Sequence, residues 1–233
     1  MNHITSYFKE KKLNKKKVFG LSVINNVVQE KINIENIDFF RFDLDEFALL
    51  HGFKSSQYIK EEFFYHIIQN YTSTKYFAVD LPVTSLYTGS SISLEKITNF
   101  ITNNKADFLI LNGSFNIGKN IKTILGSNIP FALEVNYQNN QNEEAYFISV
   151  FNMIKEYESN NGFLAILNGF QSDFYKYTSQ NLSIPVLSNV RNINADGYYA
   201  RFSKLFGLLE DPCSYLNMSE LLYNSYEDFV VGR

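Results

Sequence analysis

The sequence contains a single cysteine, Cys213, and only three histidines in 233 residues. One cysteine excludes an internal disulfide, and His3, His51 and His66 do not have the spacing of a zinc site. No hydrophobic run approaches the length of a membrane span, and residues 1–17 are too polar for the apolar core of a signal peptide. These absences predict a protein of a reducing compartment. We therefore expect a cytoplasmic location and no membrane partner.

Strong net charge is also missing. The formal net charge is −3, so nothing in the overall balance favours nucleic acid or acidic membranes as partners. One local run, KEKKLNKKK at Lys9–Lys17, is strongly basic. We interpret it as a solvated N-terminal helix that leads into the first strand. The alternative, a phosphate or nucleic-acid patch, lacks the interleaved aromatic residues that such a patch usually has.

No Pro-, Gly- or Ser-rich linker divides the chain. The length suits one α/β barrel, which typically needs roughly 200–250 residues. Short, nearly continuous apolar runs alternate with longer amphipathic stretches, which is typical of parallel strands buried on both faces and connected by helices. The predicted strands are Val18–Val23, Ile37–Asp43, Tyr76–Asp80, Asp107–Leu111, Pro130–Val135, Phe163–Leu167 and Ile184–Ser188, with an eighth near Tyr198–Phe202.

The sequence thus predicts a single domain, 1–233, with an α/β fold of the (β/α)8 TIM-barrel type. A doubly wound open sheet is the main alternative. Apolar residues at helical spacing predict helices around 58–68, 92–101 and 147–154. One or two further helices are expected at about 212–231.

Polar side chains close almost every predicted strand. In barrels of this type, functional groups project from the carboxyl ends of the strands. The strand-closing residues with side chains suited to a ligand or metal are Asp43, Asp45, Asp80, Asn112, Glu134 and Asn168. Two interpretations stay open: polar residues that merely end each strand, or carboxylates that gather at one mouth to bind a polar ligand or a hard cation such as Mg²⁺.

Three stretches resemble the ketopantoate hydroxymethyltransferases, a family of phosphoenolpyruvate/pyruvate-type barrels. Lys75–Ser114 resembles the family's strand ending in Asp-(Met/Leu)-Pro-Phe, the next helix, and the strand ending in Lys-(Leu/Ile)-Glu-Gly-Gly. Ser183–Leu208 resembles its Ile-Pro-Val-Ile-Gly and Asp-Gly-Gln…Leu-Gly-Leu signatures. The opening YFKEKKLNKKKVFGLSV resembles its Lys-rich first helix and first strand. The resemblance implies one-carbon transfer from methylenetetrahydrofolate to a small 2-oxoacid in pantothenate biosynthesis, a bound Mg²⁺ and a homo-oligomer.

The metal ligands of that family are two aspartates. Asp80 matches the second. The first falls on Leu44 without gaps, and Asp43 or Asp45 replaces it only after a shift of one residue. From their shared position at strand ends we hypothesise a rearranged Mg²⁺ site in which Asp80 and Glu134 act with Asp43 or Asp45, and which still binds a small ketoacid.

The other functional positions of the family are mostly replaced. Its ketoacid-binding lysine becomes Ile110, its strand-four glutamate becomes Asn112, and the histidine at the end of strand five becomes Glu134. Asn168 stands where the family has its base, and an amide cannot act as one near neutral pH. We assign Glu134 and Asn168 as the candidate catalytic residues, and Asp43, Asp80 and Asn112 as the candidate substrate-binding residues.

Three functions remain in competition. The first is a divergent hydroxymethyltransferase, and the second is a barrel without catalysis that acts as a binding or structural subunit. The third rests on GSFNIGKN at Gly113–Asn120, which nearly matches the phosphate-loop pattern and contains Lys119. Asn120 replaces the Ser or Thr that would bind Mg²⁺, and an ordinary strand-to-helix loop explains the stretch as well.

Overall fold

Eight parallel strands form a closed barrel in a computed structural model of the chain. The structure describes residues 3–23, 36–50, 52–53, 75–82, 103, 106–112, 130–138, 143–201 and 203. Each strand pairs with the next along the chain, and the eighth pairs with the first. The strands are β1 (Val18–Ser22), β2 (Phe39–Phe42), β3 (Tyr76–Pro82), β4 (Phe108–Asn112), β5 (Phe131–Asn136), β6 (Gly162–Asn168), β7 (Val186–Ser188) and β8 (Gly197–Ala200).

The predicted (β/α)8 barrel is thereby confirmed, and the doubly wound open sheet is excluded. Four helices lie in the described ranges: α1 (His3–Leu13), α2 (Leu44–Leu50), α3 (Glu143–Ser159) and α4 (Ser172–Asn181). The predicted helix at 147–154 is part of α3. Neither α2 nor α4 was predicted from apolar spacing. The helices expected at 58–68, 92–101 and 212–231, and the loop at 113–120, lie outside the described residues.

The amino end of the barrel is filled by aromatic rings. Phe8 of α1 packs against Phe39, Phe108 and Phe163, with ring centroids 6.0, 6.3 and 5.3 Å apart. A Cβ on Gly20 would lie 2.1 Å from the Phe39 ring, so glycine at this position makes room for that ring inside the barrel. The lower half of the interior is therefore an apolar plug, and helix α1 covers it.

The basic run at Lys9–Lys17 anchors α1 to the barrel. Lys11 Nζ lies 2.5 Å from Asp38 Oδ1, and Lys12 Nζ lies 2.9 Å from Asp196 Oδ2. Asp38 also accepts a hydrogen bond from the backbone N–H of Phe19. The predicted N-terminal helix before the first strand is confirmed, but its solvation is not complete, because Lys11 and Lys12 are partly buried in ion pairs at the start of the strands.

No helix in the described part of the chain is both long enough and apolar enough to cross a membrane.

Candidate functional site

An arginine lies in the middle of a phenylalanine-rich strand. β2 reads FFRF, and all four residues are buried. Arg41 is fully buried, and its side chain lies inside the barrel. Its Nε donates to Asp80 Oδ1 at 2.6 Å, and its Nη2 donates to Asp80 Oδ2 at 2.9 Å and to Glu134 Oε2 at 2.5 Å. One guanidinium thus joins the carboxylates of β3 and β5 across the barrel interior.

A second arginine completes the group at the end of β8. Arg201 Nε donates to Asp43 Oδ2 at 3.0 Å, and its Nη2 lies 4.0 Å from Glu134 Oε1. The Tyr199 hydroxyl donates to the same Asp43 oxygen at 2.9 Å, and the Arg41 guanidinium lies 4.8 Å from the Tyr199 ring centroid. We call Arg41, Asp43, Asp80, Glu134 and Arg201 the interior charge cluster. Of these five side chains only Arg201 is substantially exposed, at 30%.

Amide side chains extend this network along β5 and β6. Asn168 Nδ2 donates to Glu134 Oε1 at 2.6 Å and to Asn136 Oδ1 at 2.8 Å. Neighbouring strands bring these residues together, since Asn136 and Asn168 are register partners in the β5–β6 pair. Glu134 therefore has both carboxylate oxygens occupied, one by Arg41 and one by Asn168.

A fourth carboxyl group lies beside the cluster. Glu46 of α2 is buried, accepts a hydrogen bond from the Ser22 hydroxyl at the end of β1, and accepts one from the Ser203 N–H at 2.5 Å. Burial raises the pKa of Glu46, and the nearby Asp43 adds to this. Glu46 thus ties α2 to the ends of the first and last strands.

The carboxyl groups of the cluster differ in their pKa. Burial alone would raise the pKa of Asp43, but the charges of Arg41 and Arg201 outweigh it and hold the pKa at about 2. For Asp80 burial wins over Arg41, and with the negative charges of Asp43 and Glu134 it raises the pKa to about 8. The cluster has three carboxyl groups and two guanidinium groups, so one bound proton brings its charge to zero.

The structure brings together four of the six strand-closing residues chosen from the sequence. Asp43, Asp80, Glu134 and Asn168 lie in one hydrogen-bonded network at the carboxyl end. Asp45 points elsewhere: it is exposed in the first turn of α2, whereas Asp43 is buried. Asn112 ends β4, and its side chain lies outside what the structure describes.

The donor set at this site does not fit a divalent cation. Both oxygens of Asp80 accept hydrogen bonds from Arg41, and the oxygens of Glu134 and Asp43 accept from Arg41, Asn168, Tyr199 and Arg201. Two guanidinium charges at this range would repel a metal ion. Among the residues that the structure describes, no group of three or more His, Cys, Asp or Glu side chains could hold a metal. The magnesium site at Asp43, Asp45 and Asp80 stays a prediction, without support from this geometry.

Three residues of this site, Arg41, Tyr199 and Arg201, were not predicted from the sequence. The indication for Arg41 was present in the sequence, because an arginine inside a buried strand must pair with carboxylates to offset its desolvation. Arg41 lies inside the predicted strand Ile37–Asp43 and does not close it, whereas the rule for such barrels points to the residues at strand ends.

Comparison with known proteins places the fold. No protein-family model matches the sequence, and no curated protein does. Solved structures do match. They include a phosphonopyruvate hydrolase in complex with oxalate and Mg²⁺, at 7% identity over 96% of this chain and 95% of that chain, with a TM-score of 0.58. At this identity the likeness shows a closed (β/α)8-barrel fold, which members of the phosphoenolpyruvate mutase/isocitrate lyase superfamily also have.

Two further structures agree. A 2,3-dimethylmalate lyase of that superfamily is 10% identical, covers 96% of this chain and 94% of its own, and has a TM-score of 0.57. A phosphoenolpyruvate phosphomutase from Streptomyces platensis subsp. rosaceus is 8% identical over 86% and 82% of the two chains, with a TM-score of 0.59. At such identities the likeness shows the fold alone, and it does not show the ketopantoate hydroxymethyltransferase family that the motifs resemble.

Proposed function

We propose that the carboxyl end of this barrel binds a small carboxylate of the 2-oxoacid class, and that it does so without a divalent cation. The observation that carries this proposal is the pair of guanidinium groups, Arg41 and Arg201, in the place where the sequence predicts a metal. Guanidinium groups present paired N–H donors that match the two oxygens of a carboxylate. Arg201 is the partly exposed member, and it is the first contact for a ligand that enters from solvent.

Unused hydrogen-bonding groups support the same assignment. Within the described part of the chain, Arg41 Nη1 and Asn168 Oδ1 are buried and have no hydrogen-bond partner. A buried polar atom without a partner costs about 1–3 kcal/mol. A ligand that supplies an acceptor to Arg41 and a donor to Asn168 would recover that cost. A 2-hydroxy- or 2-oxoacid with its bound water carries both kinds of group.

The charge of the cluster sets a condition on this binding. With all carboxyl groups ionised, the three negative charges exceed the two positive ones, and an incoming anion is repelled. The pKa of Asp80 is raised to about 8, so at pH 7 the cluster is close to neutral. Affinity is therefore expected to be highest below about pH 8 and to fall about tenfold per pH unit above it, as for any binding linked to one proton.

The structural neighbours are consistent with this class of ligand. One was crystallised with oxalate, and the names of the others refer to dimethylmalate and phosphoenolpyruvate, all small carboxylates. The neighbours share only the fold with this chain. The two guanidinium groups of this chain, together with its fold, support a related ligand without the metal.

Calorimetric titration tests the proposal. Oxalate and 3-methyl-2-oxobutanoate are titrated into the protein in EDTA and then in Mg²⁺. We expect binding in EDTA, no gain from Mg²⁺, and a loss of at least about tenfold in affinity for Arg201→Gln, since one charge-assisted hydrogen bond contributes about 1.5–3 kcal/mol. Arg191→Gln is the matched control, because it removes an exposed arginine from the loop after β7. Binding that requires Mg²⁺, or equal losses in both variants, would refute the proposal.

One-carbon transfer is a second candidate, and the direct hydrogen bond between Glu134 and Asn168 favours it. Asn168 stands at the base position and cannot take a proton, so Glu134 would act as the base. In this case incubation with methylenetetrahydrofolate and 3-methyl-2-oxobutanoate yields ketopantoate. Asp80→Ala should then abolish turnover, and Glu134→Gln should strongly reduce it. A barrel without catalysis forms no product, with or without Mg²⁺.

Nucleotide binding at Lys119 would be tested by an ATP-binding assay that compares the wild type with Lys119→Ala.

A further inference from the structure

Three asparagines lie at the carboxyl ends of three neighbouring strands. Asn136 ends β5 and Asn168 ends β6, and the two are register partners in the β5–β6 pair. Asn189 directly follows β7, and the last register pair of β6 and β7, Leu167 with Ser188, places it next to Asn168. We call Asn136, Asn168 and Asn189 the asparagine row. Adjacent strands are about 4.8 Å apart, so the row spans roughly 10 Å of the barrel mouth.

The asparagine row faces the interior of the barrel. Side chains alternate between the two faces of a strand. Leu187 of β7 belongs to the apolar cluster inside the barrel, so Asn189, two residues later, is directed to the same side. Asn168 already joins the interior charge cluster through Glu134 Oε1. Asn136 is exposed, Asn189 is partly buried and Asn168 is buried. The row therefore forms a surface that a ligand can reach from solvent and that continues to the charge cluster.

Two amide oxygens of the row are buried acceptors that no described residue satisfies. Among the described residues, four buried side-chain polar atoms have no partner, and two of these are Asn168 Oδ1 and Asn189 Oδ1. The orientation of the Asn168 amide is fixed, because its Nδ2 donates to Glu134 Oε1 and to Asn136 Oδ1. A buried acceptor without a donor destabilises the site until a ligand or a water molecule supplies one. Both β6 and β7 thus present acceptors to whatever fills the mouth.

Acceptors of this kind select a ligand that has hydrogen-bond donors besides its carboxylate. A carboxylate and a 2-oxo group only accept hydrogen bonds, so an unsubstituted 2-oxoacid leaves both amide oxygens unpaired. An ammonium group would donate to them, but all three carboxylates of the interior charge cluster are already paired with its two arginines. A further cation would therefore be buried without a counter-charge. A hydroxyl group both donates and accepts, which matches the two functions of an amide side chain.

We propose that the asparagine row binds hydroxyl groups, and that the ligand of the barrel mouth is a polyhydroxylated carboxylate, as the sugar acids are. Its carboxylate contacts the arginines of the interior charge cluster, and hydroxyl groups further along its carbon chain donate to Asn168 Oδ1 and Asn189 Oδ1. Because these oxygens belong to adjacent strands, about 4.8 Å apart, the ligand is longer than oxalate. This inference rests on the proposed carboxylate site, since the arginines there hold the acidic end of the ligand.

Two ligands with one carbon skeleton test the proposal without any change to the protein. Butanoate and threonate are four-carbon carboxylates that differ only in their hydroxyl groups. In calorimetric titrations at pH 7 in EDTA, threonate should bind at least about tenfold more tightly, which corresponds to about 1.4 kcal/mol and to one well-formed hydrogen bond. Equal affinities would mean that water satisfies the row as well as a hydroxyl group does, and would overturn the proposal.

Asn189→Ala removes one acceptor of the row and none of the arginine contacts. It should lower the ratio of threonate affinity to butanoate affinity at least about threefold. The matched control Asn152→Ala replaces an exposed asparagine of α3, outside the barrel, and should leave the ratio at its wild-type value. A ratio that Asn189→Ala does not change, or that both variants lower equally, would also overturn the proposal. Circular dichroism confirms that each variant is folded.

Arg201→Gln separates failure of the hydroxyl subsite from failure of the carboxylate site. It should weaken both ligands by a similar factor, because they share the carboxylate that Arg201 contacts. If Arg201→Gln weakens both ligands but the wild-type protein does not prefer threonate, the carboxylate site stands and the hydroxyl subsite is refuted. If neither ligand binds to the wild-type protein, both proposals are refuted together.

Discussion

Replacing Arg41 by Met removes the central charge of the interior cluster while keeping a side chain of similar length. Arg41 makes three hydrogen bonds to buried carboxylates, two to Asp80 and one to Glu134. A hydrogen bond in which at least one partner is charged contributes about 1.5–3 kcal/mol, and the sum over the three bonds is an upper limit for the loss of stability. Removing one partner of a buried ion pair typically costs about 3–5 kcal/mol because the other charge stays buried.

We expect Arg41→Met to lower the free energy of unfolding at pH 7 by about 3–5 kcal/mol, measured by urea unfolding monitored by far-ultraviolet circular dichroism. The loss should be smaller at pH 5, where the unpaired carboxyl groups bind protons more readily. Arg41→Met/Asp80→Asn/Glu134→Gln should recover part of the stability, since it removes the unpaired charges. A loss below about 1 kcal/mol, the value typical of a surface ion pair, would refute the placement of Arg41 inside the barrel.

Three further predictions follow from other parts of the molecule. The pKa of Asp80 is raised from 3.8 to about 8, so between these pH values only the folded state holds the proton, and the free energy of unfolding falls as pH rises. The stabilisation by this proton is complete below about pH 4 and lost above about pH 8. Thermal unfolding from pH 4 to 9 should show a flatter pH dependence of stability for Asp80→Asn than for the wild type. Gly20→Ala places a methyl group against the Phe39 ring and should lower the free energy of unfolding by about 1–3 kcal/mol. In urea unfolding, the double variant Gly20→Ala/Phe39→Leu should recover most of this loss. An unchanged urea midpoint for Gly20→Ala would contradict the close contact between Gly20 and Phe39. Lys11→Met leaves the nearly buried Asp38 without its ion pair, so it should lower the melting temperature more than Lys16→Met, which replaces an exposed lysine. Equal changes in melting temperature would mean that α1 is not anchored through Lys11.

The fold could be predicted from the sequence because its main determinant is local. Each strand is a short apolar run buried on both faces, as in the FLAIL segment of β6. Such a run can be recognised in the sequence without knowing which strands lie beside it. The amphipathic α3 was recognised for the same reason. Helix α4 was missed because SDFYKYTSQN is short and mostly polar, and only three of its side chains are buried.

The candidate site was predicted only in part. The carboxyl ends of the parallel strands of a barrel lie at the same end of it, and this rule predicts that four residues lie together there: Asp43, Asp80, Glu134 and Asn168. The rule does not predict which other side chains lie between them. Arg41 belongs to the third position of β2 and Arg201 to the end of β8, and only the closed barrel brings both to the same carboxylates.

The basic run at Lys9–Lys17 illustrates a further limit. Charge counting treats these lysines alike, yet Lys11 and Lys12 reach Asp38 and Asp196, 27 and 184 residues away in the sequence. Ion pairs over such separations depend on the register of α1 against the strands. Such ion pairs can be recognised only in the three-dimensional structure, where α1 lies against the starts of β2 and β8.

The most direct test of a metal-free carboxylate site is a crystal structure of the protein grown with oxalate and Mg²⁺ together. We predict that Arg41 lies within hydrogen-bonding distance of Asp80 and Glu134, that oxalate contacts Arg201, and that no metal lies between Asp43 and Asp80. A Mg²⁺ ion bound by those two aspartates, with the Arg41 guanidinium turned away from them, would contradict this prediction.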